Sequence, residues 1–249
     1  MARNIKQSTQ GLSAAAKSLC AIRWDTDLEK QLAKLRQPAL FQALHIAVEC
    51  SIGQAPWISD KLDVARANPH QFTEDCFPLD MPAVYEAYTQ YDSELQKKGI
   101  IDPDFIPTLS GYVAWLVLSK LWRLCDSVTT SAKQVYEPAT VIEITNICLL
   151  AEHAQRILHS EERAESARPL LILMKFGKVD HRSKEYKRKC RRFWNKAEES
   201  VFERYFECAD TYPSLEAAAM AVSEMEVLPF DFLQCFQMLE SMVEHPQCR

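Results

Sequence analysis

The chain reads as all-α, and three observations carry that reading. Apolar residues recur at three- and four-residue spacing along nearly its whole length. Glycine is scarce, 5 of 249 residues, against an ordinary usage of about 7%. The twelve prolines sit largely where helices begin or where the pattern breaks. Hydrophobic residues make up 47% and charged residues 25%, values of a globular chain able to bury a core. The expected architecture is about ten helices, with one long charge-segregated helix near the C-terminus.

In chain order, 12–22 and 28–35 have the spacing of short helices. Pro38 suits the first turn of a helix running to about Ile52, with Leu40, Phe41, Leu44, Ala47 and Val48 on one face. The stretch 53–79 is broken by Pro56, Pro69 and Pro78, with room for a short apolar helix over Trp57–Val64. Asp80 can cap a helix from Met81 to about Lys98, with Pro82 in its first turn and Gly99 beyond its end. Asp102–Pro107 reads as a turn. The helix over Ser110–Ser127 is apolar on most sides, which predicts a central, buried position.

Pro138 opens a helix to about Glu165. The run 170–176, Leu-Leu-Ile-Leu-Met-Lys-Phe, reads equally as a buried strand or a short helix, because seven residues do not separate the two periods. Asp180 or Ser183 then caps a long helix to about Asp210. Pro213 with Ser214, and Pro229 with Asp231, start two more helices, ending near Met225 and Glu244. The composition shifts at Gly177. A helical core domain over 1–176 and a C-terminal helical extension over 177–249 are therefore expected, the extension packed on the core.

Formal net charge is −5, but the balance is uneven. Lys175–Lys196 holds ten basic residues against two acidic ones. Ala197–Arg249 holds eleven acids and two bases. Within the long helix, Tyr186, Cys190, Phe193, Trp194, Ala197, Val201, Tyr205 and Cys208 form an apolar seam. Lys184, Lys187, Arg188, Arg191 and Arg192 fan out beside it, with Lys178 and Arg182 just upstream. The charges oppose the helix dipole, bases toward the N-terminus and acids toward the C-terminus. Like charges also stand four apart, Lys184 with Arg188 and Lys187 with Arg191. A helix shaped for stability alone would not carry this pattern.

An anionic partner accounts for it. The first expectation is phosphate-backbone contact, DNA or RNA, made by Lys178, Arg182, Lys184, Lys187, Arg188, Arg191 and Arg192, in a non-catalytic accessory or regulatory protein of a nucleoprotein complex. The alternative is a protein-interaction module using oppositely charged C-terminal helices, in which an acidic protein surface or the chain's own acidic tail covers the basic face. One further outline is weaker. Residues 214–239 have the outline of a helix-turn-helix, but only Gln234 and Gln237 could read a base edge, so a plain helical hairpin is preferred.

Catalytic patterns are missing from the sequence. There is no nucleophile elbow, no phosphate-binding glycine loop and no zinc-protease His pair, so no enzyme activity, cofactor or metal is expected. His45 and Glu49 share a helix face, but the apolar neighbours of His45 suggest a hydrogen-bonded core histidine. Nine cysteines without a C-x-x-C pair point to reduced thiols acting as small hydrophobes. Cys190, flanked by bases, is read as buried and inert. With a polar N-terminal segment and no run of roughly 20 apolar residues, the expected location is cytoplasmic, with no membrane partner.

Overall fold

The computed structural model describes residues 24–52, 57–58, 61, 81–98, 107–130, 137–176, 184–225 and 228–244. These residues are helical throughout their regular elements and contain no strand. The eight α-helices are α1 (Trp24–Leu35), α2 (Pro38–Cys50), α3 (Met81–Lys97), α4 (Leu109–Thr130), α5 (Pro138–Phe176), α6 (Lys184–Cys208), α7 (Leu215–Met225) and α8 (Phe232–Glu244), with a 3-10 turn at Ala209–Thr211. The helix expected over 12–22 and the caps expected at Asp80, Asp180 and Ser183 lie outside the described residues. The chain divides into two compact units, Met1–Gln155 and Arg156–Arg249. The division falls inside α5, and the composition shift at 177 lies within the second unit.

The run 170–176 is the last two turns of α5, which overturns the strand reading. The helix also continues through Pro169, where a break would ordinarily be expected at a cost of about 3 kcal/mol. A helix already propagating from Pro138 needs no new nucleus, and each added residue closes another hydrogen bond. Leu170, Leu171, Leu173, Met174 and Lys175 are strong helix formers, and only Ile172 is β-branched.

In the first unit α4 is central, with α1, α2 and α3 each packed against it. Its residues 109–121 are buried on every side, as an all-round apolar helix requires. The turn expected over 102–107 lies, up to Pro107, outside the described residues; at the start of α4 the Thr108 hydroxyl accepts the Gly111 N–H at 3.2 Å. Between α1 and α2, Arg36 takes the left-handed conformation (φ 54°) that closes a helix. Gln37 is then extended before Pro38, which occupies the first turn of α2.

One side of α4 carries an aromatic cluster. Tyr112 lies 5.5 Å from both Tyr88 and Trp115 and 6.0 Å from Tyr91, between ring centroids. Trp57 donates its indole N–H to the Tyr91 hydroxyl at 2.8 Å, and the Lys61 ammonium sits 5.2 Å from the Tyr91 ring centre. Burial pushes the Tyr112 hydroxyl up to about 12, with Tyr91 adding to the effect.

The second unit is built around the hairpin of α7 and α8. The Ser214 hydroxyl caps α7 by accepting the Ala217 N–H at 3.2 Å. At α8, Asp231 and Gln234 form a reciprocal capping box: the Asp231 carboxylate accepts the Gln234 N–H at 2.9 Å, and the Gln234 side-chain oxygen accepts the Asp231 N–H at 3.2 Å. The Phe232 N–H, in the first turn of α8, donates to the Ser160 hydroxyl of α5 at 2.7 Å. Arg168 of α5 donates to the Pro229 carbonyl at 2.8 Å and to Gln234 at 2.6 Å. Phe232, Cys235, Phe236 and Leu239 are buried, so α8 belongs to a packed hairpin.

Two predictions follow from these contacts. Ser160 is only 1% exposed, so Ser160→Ala leaves the Phe232 N–H buried without its acceptor and should cost about 1–3 kcal/mol. Asp231→Ala should cost about 1 kcal/mol through the lost cap, and both are read from urea midpoints. The second concerns pH. Burial raises Cys125 and Cys235 from 9.0 to about 12, and Tyr112 is raised likewise. The folded chain holds these protons more tightly than the unfolded chain, so stability is intact below about pH 9 and falls as pH rises from 9 toward 12. A urea midpoint that stays level between pH 8 and 10.5 would contradict this.

Candidate nucleic-acid interface

The basic face is carried by α6, a helix of 25 residues. One side of it meets α7 and α8. Along that side, among the described side chains, only Val201 is fully buried; Cys190, Phe193, Trp194, Ala197 and Tyr205 are half-buried. Trp194 packs on Phe193 (5.2 Å between ring centres) and on Phe230 (5.7 Å). The aromatic pair therefore belongs to the seam, and its spacing in the sequence already favoured that over a stacking platform. Cys190 is half-buried, less enclosed than its place on the seam implied.

The structure places five of the seven candidate residues together on the solvent side of α6. Lys184, Lys187, Arg188, Arg191 and Arg192 are all exposed, as are Lys189 and Lys196. Lys178 and Arg182 lie outside the described residues. Among the described residues, none of Lys184, Lys187, Arg188, Arg191 and Arg192 takes part in an ion pair or a hydrogen bond. In the last turns of the same helix, Glu198, Glu199, Glu203 and Glu207 are exposed too, and Glu207 pairs with Arg204 at 3.2 Å.

The acids of the C-terminal hairpin are the obvious internal neutralisers, and two of them are engaged by α5. Arg156 grips the Glu224 carboxylate with two N–H donors at 3.0 and 3.1 Å, the fork geometry that suits a guanidinium. Arg163 adds a bond to the Glu224 carbonyl at 3.4 Å. Arg168 lies 3.5 Å from the Asp231 carboxylate. Sequence reasoning passed over these arginines because their partners are more than sixty residues away. The Asp231-x-x-Gln234 capping pattern was the one local signal. The same network absorbs Gln234, one of the two residues that a helix-turn-helix would have used to read a base edge.

The remaining candidates bring no chemistry together. His45 is exposed on α2 beside exposed Glu49, contrary to the core position expected from its neighbours. The intervening face, Ala43, Leu44, Ile46 and Ala47, takes up the core. Among the described residues there is no group of His, Cys, Asp and Glu that could hold a metal ion. Cys50, Cys125 and Cys235 are buried thiols in no disulfide. Among the same residues no helix is long and apolar enough to cross a membrane. No protein-family model, curated protein or solved structure matches the chain.

Proposed function

We propose that the protein binds the phosphate backbone of a nucleic acid through the solvent face of α6, as a non-catalytic accessory or regulatory component of a cytoplasmic nucleoprotein complex. The reading rests on one observation. Five exposed bases line the first half of a single helix with no ion pair among the described residues, while Glu224 and Asp231 are held by α5. Unneutralised positive charge in a row is the electrostatic footprint of a polyanion site. Lys184, Lys187, Arg188, Arg191 and Arg192 would contact phosphate oxygens, with Lys178 and Arg182 extending the row. Contacts of that kind give affinity and register with little sequence discrimination. They also explain why the helix tolerates bases at the wrong end of its dipole, since a bound polyanion reverses the local penalty.

Fluorescence anisotropy with labelled single- and double-stranded DNA and RNA tests this. Five phosphate contacts give a log–log salt slope of about −4.5 on duplex DNA, so affinity should fall about 10²–10³-fold from about 50 to about 200 mM salt. Arg188→Glu with Arg191→Glu and Arg192→Glu should abolish binding. Binding that survives the triple change, or is indifferent to salt, removes α6 as the site.

A further inference from the structure

The charges of α6 are arranged with inverted symmetry. Lys184, Arg188 and Arg192 stand four apart in its first half, and Glu199, Glu203 and Glu207 stand four apart in its second. Lys184 and Glu207 are equidistant from the midpoint between Asn195 and Lys196. So are Arg188 and Glu203, and so are Arg192 and Glu199. All six side chains are exposed. At 100° per residue, Arg188, Arg192, Glu199 and Glu203 fall within an arc of about 60°, and Lys184 and Glu207 extend that row at either end. Each half places like charges at i and i+4, which is repulsive within an isolated helix. The pattern is unfavourable inside one chain and complementary between two.

We infer that α6 pairs antiparallel with α6 of a second copy of this chain. A two-fold axis through the midpoint sets Lys184 against Glu207, Arg188 against Glu203 and Arg192 against Glu199, and symmetry repeats each pair, for six ion pairs along about 35 Å of helix. A parallel arrangement sets base on base and acid on acid, so the charges alone select the antiparallel one. Phe206, 50% exposed, lies on the same arc and meets the row of Lys184 and Arg188 of the second copy, where a cation can rest on its ring. The pairing is electrostatic and hence salt-dependent. It stands on this geometry alone and does not depend on the nucleic-acid reading. Because both use Arg188 and Arg192, a second copy and a polyanion exclude one another there.

Sedimentation velocity of the full chain tests the pairing without nucleic acid. The wild type should self-associate at about 50 mM salt and weaken at least tenfold by about 500 mM. R188E/R192E and E199K/E203K should each be monomeric at the lower salt. Their equimolar mixture should recover a one-to-one dimer, and the fourfold exchange R188E/R192E/E199K/E203K should recover the homodimer. A monomeric wild type at 200 μM, a double variant that associates like wild type, or a mixture that stays monomeric overturns the inference. The fourfold exchange keeps it falsifiable should one double variant fail to fold. E199K/E203K also separates the two proposals: it loses self-association and retains phosphate binding.

Discussion

The second unit depends on how α5 disposes of acidic charge. Arg156 and Arg168 take up Glu224 and Asp231, and the Ser160 hydroxyl takes the first N–H of α8. These contacts hold the end of α7 and the start of α8, and α6 packs on that hairpin. They also remove two carboxylates that could have neutralised α6. Arg156 grips Glu224 with two donors, a fixed geometry that suits a guanidinium, and the basic row of α6 is exposed to solvent.

α6 is held by modest means. Among its described side chains Val201 is the one fully buried, and fully burying such a group is worth about 1.5–3 kcal/mol. Against this stand reversed dipole interactions of about 0.3–1 kcal/mol each at low salt and like-charge neighbours of a few tenths each. The half-buried seam of Phe193, Trp194 and Tyr205 adds further apolar contact. A helix so placed gains stability from any partner that relieves its charge, a polyanion on its first half or a complementary helix along its length. Electrostatic cost within the fold and binding capacity outside it are two descriptions of one arrangement.

In the first unit the constraint is apolar. α4 packs against α1, α2 and α3, and burial there favours the uncharged form of a titratable group. Tyr112 and Cys125 accordingly hold their protons more tightly. Trp57, whose ring lies beside Tyr112, donates its indole N–H to the Tyr91 hydroxyl.

Local rules were enough to read the helical class, the Pro38 and Pro138 helix starts, the Ser214 and Asp231 caps and the basic row at 184–192. Each depends on residues within a few turns of one another, and that proximity holds in any fold of the chain. The strand reading of 170–176 failed because periodicity over seven residues is mute; the helix arriving from Pro138 settled it. His45 was misplaced because apolar neighbours in sequence say nothing about direction on a helix, and three of them turned inward while it turned out. The partners of Glu224 and Asp231 were also illegible, since Arg156 and Arg168 lie more than sixty residues from these carboxylates. Charge counts along a chain record how much charge there is. Which charges meet is set by the packing of α5 against the α7–α8 hairpin.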